Sequence, residues 1–253
     1  MKYAYRSANL LDGTRDMLLR DGLAVLTDGE TIAGIVPEEA IPEGFEPVDL
    51  GGKYLMPGLV NLHVHLPAGG KPPKPGKKTD NTKLAKTMTS NALLKRIAQA
   101  MCEGYAKTEL MSGVTTLRAV GGIADLDTII RDRIAAGQAV GPRILASNMA
   151  VSVPGGHMAG SVAYAATSKE EAVALVTKVA GEGVDLIKLM ITGGVLDATV
   201  KGEPGELKMP AEYVKAACDE AHRLGLKVAA HVESPAGVIV ALENGVDSIE
   251  HGA

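Results

Sequence analysis

Apolar and polar positions divide the chain into two regions. Residues 1–53 hold short segments of alternating character, such as 22–26 and 31–36, and turns that contain Gly or Pro separate them. This pattern predicts a small antiparallel β unit. From residue 54 onward, apolar runs of strand length alternate with longer segments of helical period, which is typical of repeated βα units.

Six runs of strand length after residue 53 predict six β units. The first, 54–64, has the composition of a single buried strand, and another covers 142–147. The remaining four begin directly after glycines that follow helical segments, namely Gly113, Gly183, Gly225 and Gly245. Glycine is favoured at the left-handed position that ends a helix, so each of these four predicts a helix-to-strand junction.

The segments between the strands carry helix signals. Residues 168–171 fit a capping box, Pro210 and Pro235 fit first-turn positions, and residues 84–112 and 125–136 predict further helices. Alternating βα units predict a parallel sheet with helices outside it. A doubly wound sheet fits the same order, but no Gly-x-Gly-x-x-Gly turn follows the first strand, which slightly favours a barrel.

Composition limits the class of protein. The chain has 253 residues, 46% of them hydrophobic, with one Phe, six Tyr and no Trp, which predicts a sizeable aliphatic core. A net charge of −4 gives no indication of a nucleic acid or an anionic membrane as partner. The N-terminus lacks the apolar core of a signal peptide, no run reaches membrane-spanning length, and Cys102 and Cys218 form no visible disulfide framework. These features predict a cytoplasmic protein.

Two histidines close the first predicted strand. His63 and His65 are two residues apart, so in a strand their imidazoles point to the same side. Imidazole is a favoured ligand of zinc and similar metals, and this pair would supply half of a metal site. The alternative is two histidines packed at a strand terminus.

Three further residues carry the same chemistry on later strands. Lys188 lies among aliphatic residues in the middle of the fourth strand, where burial would lower its pKa and make it a nucleophile toward a carbonyl group or carbon dioxide. An ordinary ion pair with a neighbouring acid is the alternative. His231 and His251 end the fifth and sixth strands. Because parallel strands share one carboxyl-terminal rim, these residues and the first pair should converge there.

The segment 56–65, Met-Pro-Gly-Leu-Val-Asn-Leu-His-Val-His, together with Lys188, His231 and His251, resembles the amidohydrolase superfamily. Within it, the likeness is to imidazolonepropionase-like and Xaa-Pro dipeptidase-like enzymes. The resemblance implies an α/β fold with a (β/α)8-type (TIM-like) barrel and a small β-sandwich. Residues 1–53 would form the sandwich portion, and 54–253 would form about six β units of the barrel.

That resemblance also implies a site. His63, His65 and Lys188, carried as a carbamate, would hold one divalent metal, and Lys188, His231 and His251 would hold a second, with zinc as the first candidate. A hydroxide bridging the two ions would cleave C–N amide bonds of dipeptides or N-acyl amino acids. His157, which follows the third strand in Pro-Gly-Gly-His, would bind the substrate and polarise its carbonyl; the alternative is a flexible loop histidine. The basic loop 70–79 would attract a carboxylate substrate, although a solvated loop is the commoner reading.

The family pattern also includes an aspartate at the end of an eighth strand, which these 253 residues do not contain. We therefore expect a truncated product, the N-terminal part of a longer enzyme, or one half of a split protein completed by a C-terminal fragment; a homo-oligomer is also compatible. Two other functions stay open. One is a metal-free Schiff-base lyase that uses Lys188, and the other is a non-catalytic metal-binding half.

Overall fold

The computed structural model describes residues 1–69, 80–195 and 205–252. The chain forms two compact units, an N-terminal unit, Met1–Gly58, and a second unit, Leu59–Ala253. The predicted basic loop 70–79 lies outside the described residues. Among the helices that the structure describes, each is too short or too polar to cross a lipid bilayer.

The N-terminal unit contains two small sheets. One has the order β5-β4-β1-β6 and the other the order β3-β2-β7. The predicted antiparallel pairing occurs for β1–β4, β4–β5 and β2–β3, whereas β1–β6 and β2–β7 pair in parallel. The strands are β1 Lys2–Arg6, β2 Asn9–Leu11, β3 Leu19–Arg20, β4 Leu23–Asp28, β5 Thr31–Pro37, β6 Glu46–Asp49 and β7 Tyr54–Leu55.

The second unit alternates strands and helices, and its strand pairs are parallel. One sheet has the order β10-β9-β8 and the other the order β12-β11-β13-β14-β15. The strands are β8 Leu59–Val64, β9 Val114–Ala119, β10 Arg143–Leu145, β11 Ala150–Ser152, β12 Ala163–Ala165, β13 Leu186–Met190, β14 Lys227–Val232 and β15 Ser248–His251. The helices are α1 Asn81–Met88, α2 Ala92–Met111, α3 Leu126–Ala135, α4 Lys169–Ala180, α5 Ala211–Arg223 and α6 Pro235–Glu243. This α/β architecture with parallel sheets is consistent with part of a (β/α)8-type barrel.

Local signals in the sequence act as predicted at several helix ends. The Ser168 and Ser234 side chains accept hydrogen bonds from the backbone of Glu171 and Gly237, which caps α4 and α6. The glycines at the four predicted helix-to-strand junctions have φ angles of +76° to +97°. A side chain at these positions would be strained, so the glycines are required by the backbone.

The first strand differs from the prediction. A single buried strand over 54–64 is wrong, because β7 and β8 are separate and Pro57, which has no backbone N–H to donate, lies between them. Within the described residues β8 pairs with β9 alone. Leu59, Val60 and Leu62 are 48%, 59% and 55% exposed, as befits an edge strand.

The third β unit is divided between the two sheets. β10 pairs with β9, and β11 pairs with β13. Between them Asn148 adopts a φ of +53°, a conformation that asparagine tolerates better than most residues. Its side chain is buried and hydrogen-bonds to Thr128 and Glu182. This break lets one β unit join both sheets.

Two aliphatic cores support the second unit, as the scarcity of aromatic residues predicted. One packs α4 and α5 against β13 and β14, and the other packs α2 and α3 against β8, β9 and β10. Cys218 and Cys102 lie in these cores as free thiols, and burial raises the pKa of each to about 12.

Candidate metal centre

The carboxyl ends of three strands bring four histidines together. His63 is in β8, His65 follows it, His231 is in β14, and His251 ends β15. The ring centroid of His63 lies 5.1 Å from that of His65 and 4.7 Å from that of His251. The ring centroids of His231 and His251 are 4.8 Å apart. The predicted convergence of these side chains on one rim is therefore present, and the cluster includes residues from both sheets.

The histidine pair of β8 has the spacing of two ligands on one ion. Nε2 of His63 lies 3.3 Å from Nε2 of His65. Two nitrogen ligands bound to a tetrahedral zinc at 2.0–2.1 Å would be about 3.3–3.4 Å apart. Nδ1 of His65 lies 2.8 Å from the carbonyl oxygen of Gly121, which can only accept, so the proton of the neutral ring is on Nδ1. Burial lowers the pKa of His65 to about 4, and its Nε2 therefore offers a lone pair at neutral pH.

The histidines of β14 and β15 are also held neutral. Burial, with the neighbouring His157 and Lys188, lowers the pKa of His231 to about 3. Burial, with His63 and Lys188, likewise lowers the pKa of His251. A neutral imidazole is the form that binds a metal.

Glu233 is a carboxylate at the site that was not among the predicted ligands. Its oxygen and ring nitrogens of His231 and His251 all lie within 4.8 Å of one another, so the three side chains could hold an ion. The sequence carried a signal for it, because Glu233 is two residues after His231, and residues two apart in an extended segment point to the same side.

Lys188 is the most deeply buried charged residue of the site. It is 1% exposed, and Nζ has no hydrogen-bond partner among the described residues, so the predicted alternative of an ion pair is not seen. Burial lowers the pKa of Lys188 to about 7, with Glu250 opposing and Arg118 reinforcing the effect. Burial thus favours the neutral, nucleophilic form of this amine, and a buried polar atom without a partner fits a group that is completed by a ligand.

His157 lies beside the cluster. Its ring stacks on that of His231, with 4.1 Å between centroids and 12° between planes. The residue is buried, and the absence of a side chain at Gly194 leaves room for its ring. This environment is unlike that of an exposed loop histidine, and the role of His157 in substrate binding stays a prediction.

A buried ion pair next to His63, formed by Glu250 and Arg118, was also not among the predicted site residues. Glu250 Oε2 lies 2.7 Å from Nδ1 of His63, and Glu250 Oε1 accepts from Nη2 of Arg118 at 2.6 Å. Burial would raise the pKa of Glu250, but the hydrogen bond from His63 and the charges of Lys188 and Arg118 outweigh it and hold the pKa below its usual value. The signal in the sequence was a charged residue inside an apolar strand, the same signal that identified Lys188.

Comparisons with known proteins find one family whose model covers most of the chain. The model described as the amidohydrolase family matches residues 54–253. A proposed prolidase from Bifidobacterium longum is 34% identical, with a TM-score of 0.77 over 99% of this chain and 54% of its own. A Xaa-Pro dipeptidase with methionine bound in its active site is 27% identical, with a TM-score of 0.79 over 100% of this chain and 62% of its own.

A curated relative matches over nearly the same span. The ochratoxinase of Aspergillus niger is 26% identical over an alignment of 280 positions, gaps included, that covers 95% of this chain and 55% of the relative. The chain therefore spans about half the length of this relative.

Proposed function

The chain belongs to the amidohydrolase family, and from this premise we propose that it carries the binuclear metal centre of a hydrolase that cleaves amide C–N bonds. The observation that carries the proposal is the donor set itself. The Nε2 atoms of His63 and His65 are 3.3 Å apart. The amine of Lys188 is buried beside the histidine cluster and has no hydrogen-bond partner among the described residues. We also propose that the N-terminal unit, which includes the predicted region 1–53, is the portion of the family's small β-sandwich that this chain supplies.

The residues divide into two ligand groups that share one member. His63, His65 and Lys188 would hold one ion, and Lys188, His231 and His251 would hold the other, with zinc as the first candidate. Bound divalent ions would supply a Lewis acid for the amide carbonyl and a water that deprotonates near neutral pH. His157, stacked on His231, would bind the carbonyl oxygen of the substrate.

Lys188 would serve as a shared ligand after carboxylation. Its neutral amine adds to the carbon of dissolved carbon dioxide, an N–C bond forms, and one proton leaves to solvent. The side chain thereby changes from a cation into a carbamate anion with two oxygens. The low pKa of Lys188 supports this step, because the neutral amine is the reactive form.

The proposed substrates are dipeptides and N-acyl amino acids. The Xaa-Pro dipeptidase and the proposed prolidase support an amide next to a free carboxylate. The chain spans 54% and 62% of these two proteins, and we propose this activity for the whole protein. A second copy or a complementary C-terminal chain would be the macromolecular partner.

Metal content tests the proposal. The chain, purified without chelator and incubated with zinc and bicarbonate, should retain two ions by plasma mass spectrometry, and ¹³C-bicarbonate should give a carbamate resonance. Lys188→Ala should lose the resonance and at least one ion. His222→Ala is the matched control, because His222 pairs with Asp247 outside the cluster and its loss should change neither readout. Folded wild-type protein that holds no metal would overturn the binuclear centre.

A second function is favoured by one observation, the partnerless Lys188 with its pKa near 7. Such an amine could form a Schiff base with a carbonyl substrate in a metal-free lyase. Borohydride reduction in the presence of an aldehyde or keto acid would then add mass at Lys188. Metal binding without turnover of Xaa-Pro dipeptides or N-acyl amino acids would instead favour the non-catalytic, metal-binding alternative.

A further inference from the structure

We infer that Glu250, clamped by Arg118, is a positioning residue that orients His63 so that Nε2 faces the metal position shared with His65. The inference rests on the proposed metal centre and assigns a role to two residues that supply no ligand to it. Through this contact a ligand on an edge strand keeps its orientation.

The hydrogen bond to Glu250 fixes which nitrogen of His63 is free. An ionised carboxylate can only accept, so Nδ1 of His63, 2.7 Å from Glu250 Oε2, carries a proton. In the neutral ring the lone pair is then on Nε2, on the side of His65. The Gly121 carbonyl does the same for His65. Both rings of the pair are thus set by acceptors behind them, one a charged side chain and the other the backbone, and both Nε2 atoms meet at one point.

Arg118 holds Glu250 in place from the other sheet. Its Nη2 donates to Glu250 Oε1 at 2.6 Å, its Nη1 donates to Ser248 Oγ at 3.1 Å, and its Nε donates to the carbonyl oxygen of Leu62 at 2.8 Å. The guanidinium of β9 therefore contacts both β15 and the segment of β8 next to His63. Because β8 and β9 lie in the three-stranded sheet and β15 in the five-stranded one, the pair ties the two ligand-bearing sheets together across the interior.

Burying the Arg118–Glu250 pair costs desolvation free energy, so packing alone does not account for it. Glu250 is 5% exposed, and a carboxylate taken out of water stabilises a fold little, even with a partner. A second His–carboxylate pair, His222 with Asp247, has the same 2.7 Å separation but lies at the surface, where its ring faces no other histidine. It provides a matched comparison within the same chain.

Metal affinity tests the inference with two charge-neutralising variants. Glu250→Gln keeps the shape of the side chain, but the amide has one acceptor oxygen and must leave either His63 or Arg118 without its partner. We expect its zinc affinity, measured by chelator competition on the 253-residue chain, to fall about 10–100-fold, which is the usual cost of removing a group that orients a histidine ligand. Asp247→Asn should leave zinc affinity unchanged.

The protonation state of the His63 ring gives a second readout that needs no variant. In the zinc-loaded wild-type chain, ¹H–¹⁵N correlation spectra of the imidazoles should show His63 protonated at Nδ1 and coordinated through Nε2. Coordination through Nδ1, or wild-type zinc affinity in folded Glu250→Gln, would overturn the inference while leaving the metal centre intact. A wild-type chain that binds no zinc would instead overturn the proposed function.

Discussion

Two fully buried ionisable side chains of the second unit, Lys188 and Asp127, lack hydrogen-bond partners among the described residues, yet their surroundings differ. Lys188 lies beside the histidine cluster, where a ligand would complete it. Asp127 lies at the start of α3, where its carboxyl packs against Gly122, and none of the proposed metal ligands belongs to this helix. At the scale of single residues, burying an ionisable group without a partner thus serves ligand binding at Lys188, whereas at Asp127 it affects only folding stability.

Asp127 should make folding stability depend on pH. Burial raises the pKa of Asp127 from 3.8 to about 7, and the nearby backbone of Asn148 opposes the change. The folded state therefore keeps a proton that the unfolded state releases between pH 4 and pH 7, so this contribution to stability is full below pH 4 and is lost as the pH rises to 7. Above pH 7 the difference in pKa corresponds to roughly 4 kcal/mol.

Asp127→Asn should remove that dependence. Urea unfolding at pH 8 should show the variant to be more stable than the wild type by about 1–4 kcal/mol, and the gain should largely disappear at pH 5. Asp132→Asn, at an exposed position of the same helix, should show no such change with pH. An equal effect of Asp127→Asn at both values would mean that the carboxyl is not the titrating group.

At the scale of secondary structure elements, the caps that the sequence predicted should carry measurable stability. The Ser168 side chain accepts from the N–H of Glu171 at 3.1 Å and satisfies one of the free donors at the start of α4. Ser168→Ala should lower the free energy of unfolding by about 1 kcal/mol in urea titrations. Ser112→Ala is a suitable comparison, because the Ser112 hydroxyl donates to the carbonyl of Glu109 at the C-terminal end of α2. Its loss should cost less than about 0.5 kcal/mol. Equal losses would argue against capping as the cause.

The elements that the sequence predicted well are those with local causes. Gly113 follows the end of α2 and bonds to Leu110, and Ser168 begins α4 and bonds to Glu171, so a short window of sequence contains the information. The division of the third β unit at Asn148 was missed because its contacts, Thr128 and Glu182, lie 20 and 34 positions away. Pro57 was a local signal against a continuous first strand, and the apolar run around it was given too much weight.

The candidate site shows the same contrast between features with local causes and features that depend on distant contacts. The four histidines were predictable because parallel strands place their carboxyl ends on one rim, whatever the details of packing. The contact between Arg118 and Glu250 joins residues 132 positions apart and depends on how two sheets face each other. Sequence patterns could mark both as charged residues in apolar strands, but they could not pair them.

At the scale of the second unit, the proposed ligands come from both sheets. His63 and His65 belong to the end of β8 in the three-stranded sheet, whereas Lys188, His231 and His251 belong to the five-stranded sheet. Ions held by all five side chains would therefore connect the two sheets, in addition to the divided third β unit and the Arg118–Glu250 pair. Such a connection exists in the folded state alone, so metal binding should stabilise the fold.

Thermal unfolding should therefore depend on metal. A ligand that binds the folded state and is present at 100 times its dissociation constant adds about 2.7 kcal/mol of stability. For a chain of this size that corresponds to a rise in Tm of about 5–10 °C in calorimetry when zinc is added to chelator-treated protein. The double variant His63→Ala and His231→Ala removes one ligand from each sheet and should respond far less. If the wild type gained no stability from zinc, the ligands would not span the two sheets in the folded chain, and the centre would have to be formed by one sheet or with another chain.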